Sequence, residues 1–82
     1  YQNVPNPFTH NTRVGFELPN DSEITLTITD VKGQVLKVIS GAYSKGYHEI
    51  QLRKSDLPST GVLQYRLETD KASATRTMIL MH

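Results

Sequence analysis

Leu57 to Met81 reads LPSTGVLQYRLETDKASATRTMILM, and its pattern decides the fold class. From Val62 to Thr69, Leu63, Tyr65 and Leu67 alternate with Gln64, Arg66 and Glu68. That period of two buries one face of a strand and leaves the other in water. A polar turn around Asp70, Lys71, Ala72 and Ser73 leads to a second strand over Ala74 to Leu80, so the pair reads as an antiparallel hairpin. Met78, Ile79, Leu80 and Met81 follow one another at its end, where chains are ordinarily polar and frayed. Such a strand either closes a core or is presented to a partner for strand addition, and the two readings can coexist.

Upstream of this hairpin the same period recurs. Val14, Phe16 and Leu18 alternate with polar neighbours and glycine across Arg13 to Leu18, until Pro19-Asn20-Asp21-Ser22 supplies turn chemistry. Glu23 to Thr29 sets Ile24, Leu26 and Ile28 against Thr25, Thr27 and Thr29, with β-branched residues on both faces. Asp30-Val31-Lys32-Gly33 fits a type I turn into a strand over Gln34 to Ile39, which makes a second hairpin. Ser40 to Gly46 reads as a loop, and alternation through His48, Ile50 and Leu52 restores a strand. Ser55 to Ser59 suits one 3₁₀ turn, with Leu57 against the bottom of the core and Gly61 opening the next strand. No stretch carries apolar residues at helical spacing over ten or more positions, so no helix is expected. The expected fold is all-β: a small antiparallel immunoglobulin-like β-sandwich of about seven strands, without the cysteine pair and core tryptophan of antibody domains.

The 82 residues make one domain at most, residues 1–82, with a thin core; the abrupt start at Tyr1 suggests excision from a longer protein, and His82 is native or tag-derived. Nine basic and eight acidic residues give a net charge of +1 and are interspersed, which offers no field for nucleic acid or an anionic membrane. Cysteine is absent, removing disulfides and thiolate metal sites. No apolar run approaches the ~18 to 20 residues that span a bilayer.

Candidate chemistry is sparse. His10, His48 and His82 are too scattered for a metal-ligand spacing, and His48 lies in a strand beside Ile50. Asp30 with Gly33 lacks the repeated acidic positions of a calcium loop, and turn chemistry accounts for both. No nucleophile elbow, P-loop or dinucleotide fingerprint occurs. Asp21 with Glu23, and Glu68 with Asp70, are carboxylates on turns and strand faces. No enzymatic activity, cofactor or metal is expected. Tyr43 and Tyr47 flank the Ser44-Lys45-Gly46 turn, where they form either a sugar-stacking platform or ordinary packing at the sandwich end. Tyr65 is in phase with Leu63 and Leu67 and reads as core.

Several motifs fall in an order that resembles the C-terminal sorting domain of type IX secretion system cargo, the Por secretion tail. They are Pro5-Asn6-Pro7-Phe8 before a strand, Asp30-Val31-Lys32-Gly33-Gln34-Val35 in mid-chain, the Gly46 strand start, L-x-x-x-G-V-x-x-Y-R-L from Leu57 to Leu67, and Arg76-Thr77-Met78-Ile79-Leu80 at the end. The resemblance covers essentially the whole chain. Leu63 departs from the aromatic residue usual after Gly-Val, and Arg76-Thr77 stands where two lysines are common. It implies an address label for a larger protein of a Bacteroidota-type bacterium. The parent would enter the periplasm through its own signal and cross at the outer-membrane translocon. A sortase-like peptidase would then cut ahead of the sandwich, leaving the cargo extracellular or on the cell surface. Implied recognition residues are Pro5, Asn6, Pro7 and Phe8 in the lead-in, Gly61, Tyr65 and Arg66 in the first hairpin strand, and Arg76, Met78, Ile79 and Leu80 in the last. The implied domain is a monomer lying C-terminal to a catalytic or binding domain. Two other readings are a carbohydrate-binding or adhesive module using Tyr43 and Tyr47, and an inert spacer.

Overall fold

The computed structural model describes residues 10–57 and 61–81. Its six strands are β1 (Asn11–Leu18), β2 (Ser22–Thr29), β3 (Val35–Tyr43), β4 (Gly46–Arg53), β5 (Gly61–Glu68) and β6 (Ser73–Leu80). A 3₁₀ turn, Lys54–Asp56, follows β4. All described pairings are antiparallel: β1 with β4 in one sheet, and β3-β2-β5-β6 in the other. The lead-in motif Pro5 to Phe8 lies outside the described residues.

Alternation builds the core. Val14, Phe16 and Leu18 of β1 and Ile50 and Leu52 of β4 face Ile24, Leu26 and Ile28 of β2, Leu63 and Tyr65 of β5, and Met78 and Leu80 of β6. Each of these side chains is buried, and burial of one such group stabilises by about 1.5 to 3 kcal/mol. Thr12 is buried with them. Leu57 closes the lower end of the core, as the sequence suggested. The 3₁₀ turn holds it there: Leu57 N–H donates to the Lys54 carbonyl (3.0 Å), and Lys54 N–H donates to the His10 carbonyl at the foot of β1 (2.8 Å).

Turn chemistry sets the β2–β3 hairpin. Asp30 Oδ1 accepts from the N–H groups of Lys32 and Gln34, both at 2.9 Å, and Gly33 N–H donates to the Asp30 carbonyl at 3.0 Å. Gly33 has φ +83°, which a side chain would oppose. The register then slips, with Ile28 opposite Lys37 but Thr29 opposite Val35, a bulge that leaves Leu36 as the extra residue.

β3 departs from expectation. The loop anticipated over Ser40 to Gly46 is strand through Tyr43, paired residue for residue with β2 from Ser22↔Tyr43 to Leu26↔Ile39. Ser40, Gly41 and Ala42 have weak strand preference, and their pairing with a strongly β-forming neighbour overrides it. Only Ser44 and Lys45 remain to cross to the other sheet. That crossing is held by Asp21 Oδ1, which accepts the Lys45 N–H at 2.7 Å.

Candidate recognition surface

The terminal hairpin divides its residues between core and surface according to register. Leu63 lies opposite Met78 and Gly61 opposite Leu80 on the inner face, where Met78 is 0% exposed and Leu80 1%. One residue away the phase reverses. Val62 and Ile79 form a cross-strand pair on the outer face, 47% and 39% exposed, and Met81 beyond them is 49% exposed. At the other end of the hairpin, Thr69 Oγ1 accepts from the N–H groups of Lys71 (3.2 Å) and Ala72 (3.1 Å), which fixes the turn.

Of the residues expected in recognition, the structure separates two sets. Tyr65, Met78 and Leu80 are buried and pack the core. Gly61, Arg66, Arg76 and Ile79 are at the surface. Gly61 opens β5 at φ +102°, so its backbone, unlike a side chain's, meets no strain there. Arg66 lies on the outer face opposite Thr75, with its Nε 3.7 Å from Glu68 Oε1. Arg76 pairs in register with Tyr65 and donates from Nη1 to the Thr75 carbonyl at 3.0 Å. Arg66 therefore shares with Thr27, Thr29, Gln64, Glu68 and Thr75 a shallow polar concavity of about 340 Å³ on the outer face of the larger sheet.

The aromatic platform does not form. Tyr43 turns inward, edge-on to Phe16 (ring centroids 5.3 Å apart) and to His48 (5.0 Å). Tyr47 turns outward, lies over the backbone of Gly15 and donates its hydroxyl to Glu49 Oε2 at 3.1 Å. The two rings point opposite ways, one into the core and one to solvent, because the chain crosses from one sheet to the other between them at Ser44 and Lys45. His48 lies inward with its Nε2 2.7 Å from the Ser44 carbonyl, which can only accept. Among the described residues no three His, Cys, Asp or Glu side chains gather as a metal site. No described helix is long and apolar enough to cross a membrane.

Sequence reading missed the Val62–Ile79 pair, because it depends on hairpin register and not on either strand alone. It also missed the position of β3 at the end of the strand order, which periodicity does not encode.

Fold and hairpin together define a small antiparallel β-sandwich module whose terminal strand is divided between core and surface. The chain matches the family described as "Secretion system C-terminal sorting domain" over residues 4–81 and belongs to it. It is a sorting signal for type IX secretion, from a family that is not catalytic and that marks proteins for secretion across the outer membrane. No curated protein and no solved structure matches the chain.

Proposed function

We propose that this domain is itself non-catalytic and is read in the periplasm by the outer-membrane translocon of the type IX system. A sortase-like peptidase then separates it from its parent, which reaches the medium or the cell surface. The observation that supports this reading is the division of β6: Met78 and Leu80 hold the strand in the core while Ile79 faces outward beside Val62. Recognition in this account falls on Ile79, Arg76, Arg66 and the backbone at Gly61. Tyr65, Met78 and Leu80 act beneath them by holding the hairpin in shape. Pro5, Asn6, Pro7 and Phe8 remain candidates of the lead-in, outside the described residues. The domain works as a monomer attached behind a catalytic or binding parent domain.

The test is a reporter carrying an N-terminal signal peptide and ending in this domain, expressed in a host with the secretion system. Ile79→Asp and Arg76→Glu should leave the domain folded and hold the reporter in the periplasm. Undiminished export by both folded variants would move the recognised surface elsewhere.

A further inference from the structure

Among the described residues β3 and β6 stand at the two ends of the larger sheet, and their inward side chains are enclosed to different degrees. At β6 the inward side chains Met78 and Leu80 are fully enclosed. At β3 the inward side chains Leu36, Ile39 and Tyr43 pack on the core but stay only partly buried. The facing sheet is two strands wide among the described residues, and it covers β2 and β5 better than β3. Among the described residues β3 pairs only with β2, so a nine-residue strand presents both a backbone edge and a half-open apolar flank.

Edge strands commonly carry guards against pairing, such as inward charges and bulges. β3 has both, but at one end. The bulge lies at Leu36, and Lys37, opposite the inward Ile28, sets its Nζ 3.9 Å from Asp56 Oδ1. From Val38 to Tyr43 the strand reads VISGAY, with no charge, no proline and no bulge. On the outer side Val38 is 55% exposed, beside Thr27.

We propose that the edge of β3 over Val38–Tyr43 accepts an extended strand, apolar at alternate positions, from a protein of the secretion system. An added strand would complete the ladder, and its inward side chains would cover Ile39 and Tyr43, whose ring reaches back beside Gly41. Main-chain pairing supplies affinity while alternate side chains supply selectivity. The inference rests on the sorting role and goes beyond the hairpin surface, since it places a second contact on the opposite edge of the same sheet.

Proline variants at two consecutive positions test it. N–H groups in an antiparallel edge strand alternate between the neighbour and the open side. Of Ser40→Pro and Gly41→Pro, one therefore breaks the β2 ladder and the other blocks only the open edge, and thermal unfolding tells them apart. Ser40→Lys, which keeps every backbone donor and adds an edge charge, is the companion should both prolines unfold the domain. The expected result is that the variant with wild-type thermal stability lowers reporter export by about tenfold, the worth of one lost ladder bond. Export equal to wild type from a folded edge variant overturns the inference. So does a wild-type dimer that the edge variant converts to monomer in light scattering, which would assign the edge to a second copy. Failure of the wild-type domain to export the reporter is a separate result, because it removes the sorting role before β3 enters.

Discussion

Met78 and Ile79 are neighbours on opposite faces of β6, and their difference is open to measurement. Met78 is wholly enclosed against Leu63, whereas Ile79 is 39% exposed beside Val62. Met78→Ala should destabilise the domain by about 2 to 5 kcal/mol in urea unfolding, the usual cost of emptying a buried site. Ile79→Ser should change stability by no more than about 0.5 kcal/mol, because surface changes away from caps and networks seldom do more. Asp30 offers a third residue-scale test. Its carboxylate oxygen holds two backbone donors of the β2–β3 turn, so Asp30→Ala should cost about 1 to 2 kcal/mol, and Asp30→Asn should recover most of it. Restoration by asparagine would show that the group is a hydrogen-bond acceptor in a turn and not a ligand for a cation.

At the scale of elements, deletion and substitution at the chain end ask different questions. Removing residues 78–82 takes out two fully enclosed side chains as well as any recognised surface. In a domain whose whole stability is on the order of 5 to 15 kcal/mol, that deletion should unfold it, seen as loss of the cooperative thermal transition. Export lost through such a deletion reports folding, and the proposed recognition is tested instead by surface substitutions such as Ile79→Asp and Arg76→Glu. The four strands with alternation, β1, β2, β4 and β5, were legible in sequence, because a period of two against a buried face leaves a plain trace in Ile24-Leu26-Ile28 or Leu63-Tyr65-Leu67, and β6 was legible as the partner of β5 across a polar turn. β3 was half legible. Its glycine, serine and alanine carry no such trace, and only the presence of β2 beside them makes them strand. Tyr43 and Tyr47 left a platform and ordinary packing both open in sequence, and the crossing between sheets among the three intervening residues decides for packing by turning one ring inward and the other outward. Of the recognition residues, motif order located the hairpin, but register separates Arg66 and Ile79, on the outer face, from Tyr65, Met78 and Leu80, while Arg76 lies opposite Tyr65 in the inward phase and is nonetheless exposed.

For the whole molecule, a thin two-layer core must carry the fold while, in the proposed reading, the same hairpin serves as an address. A strand's two faces make the demands compatible: Met78 and Leu80 fill the core, and Ile79, on the other face, belongs to the proposed recognition surface. Among the described residues, ties between the layers include the Tyr43 ring on Phe16 and His48 and one ion pair. That ion pair joins Lys37 to Asp56, each side chain about one-third exposed, and such a pair contributes at most about 1 kcal/mol. Lys37→Met should leave thermal stability nearly unchanged, yet by removing the inward charge it should raise the tendency of β3 to associate edge to edge, visible as concentration-dependent light scattering. The central claim is that this folded domain is sufficient as a type IX export address. Its most direct measurement is the distribution of a signal-peptide-bearing reporter fused ahead of residues 1–82, in a host with and without a working secretion system. The account predicts reporter at the cell surface or in the medium only when the system works. Reporter retained in the periplasm of the competent host, with the domain folded and intact, would contradict it.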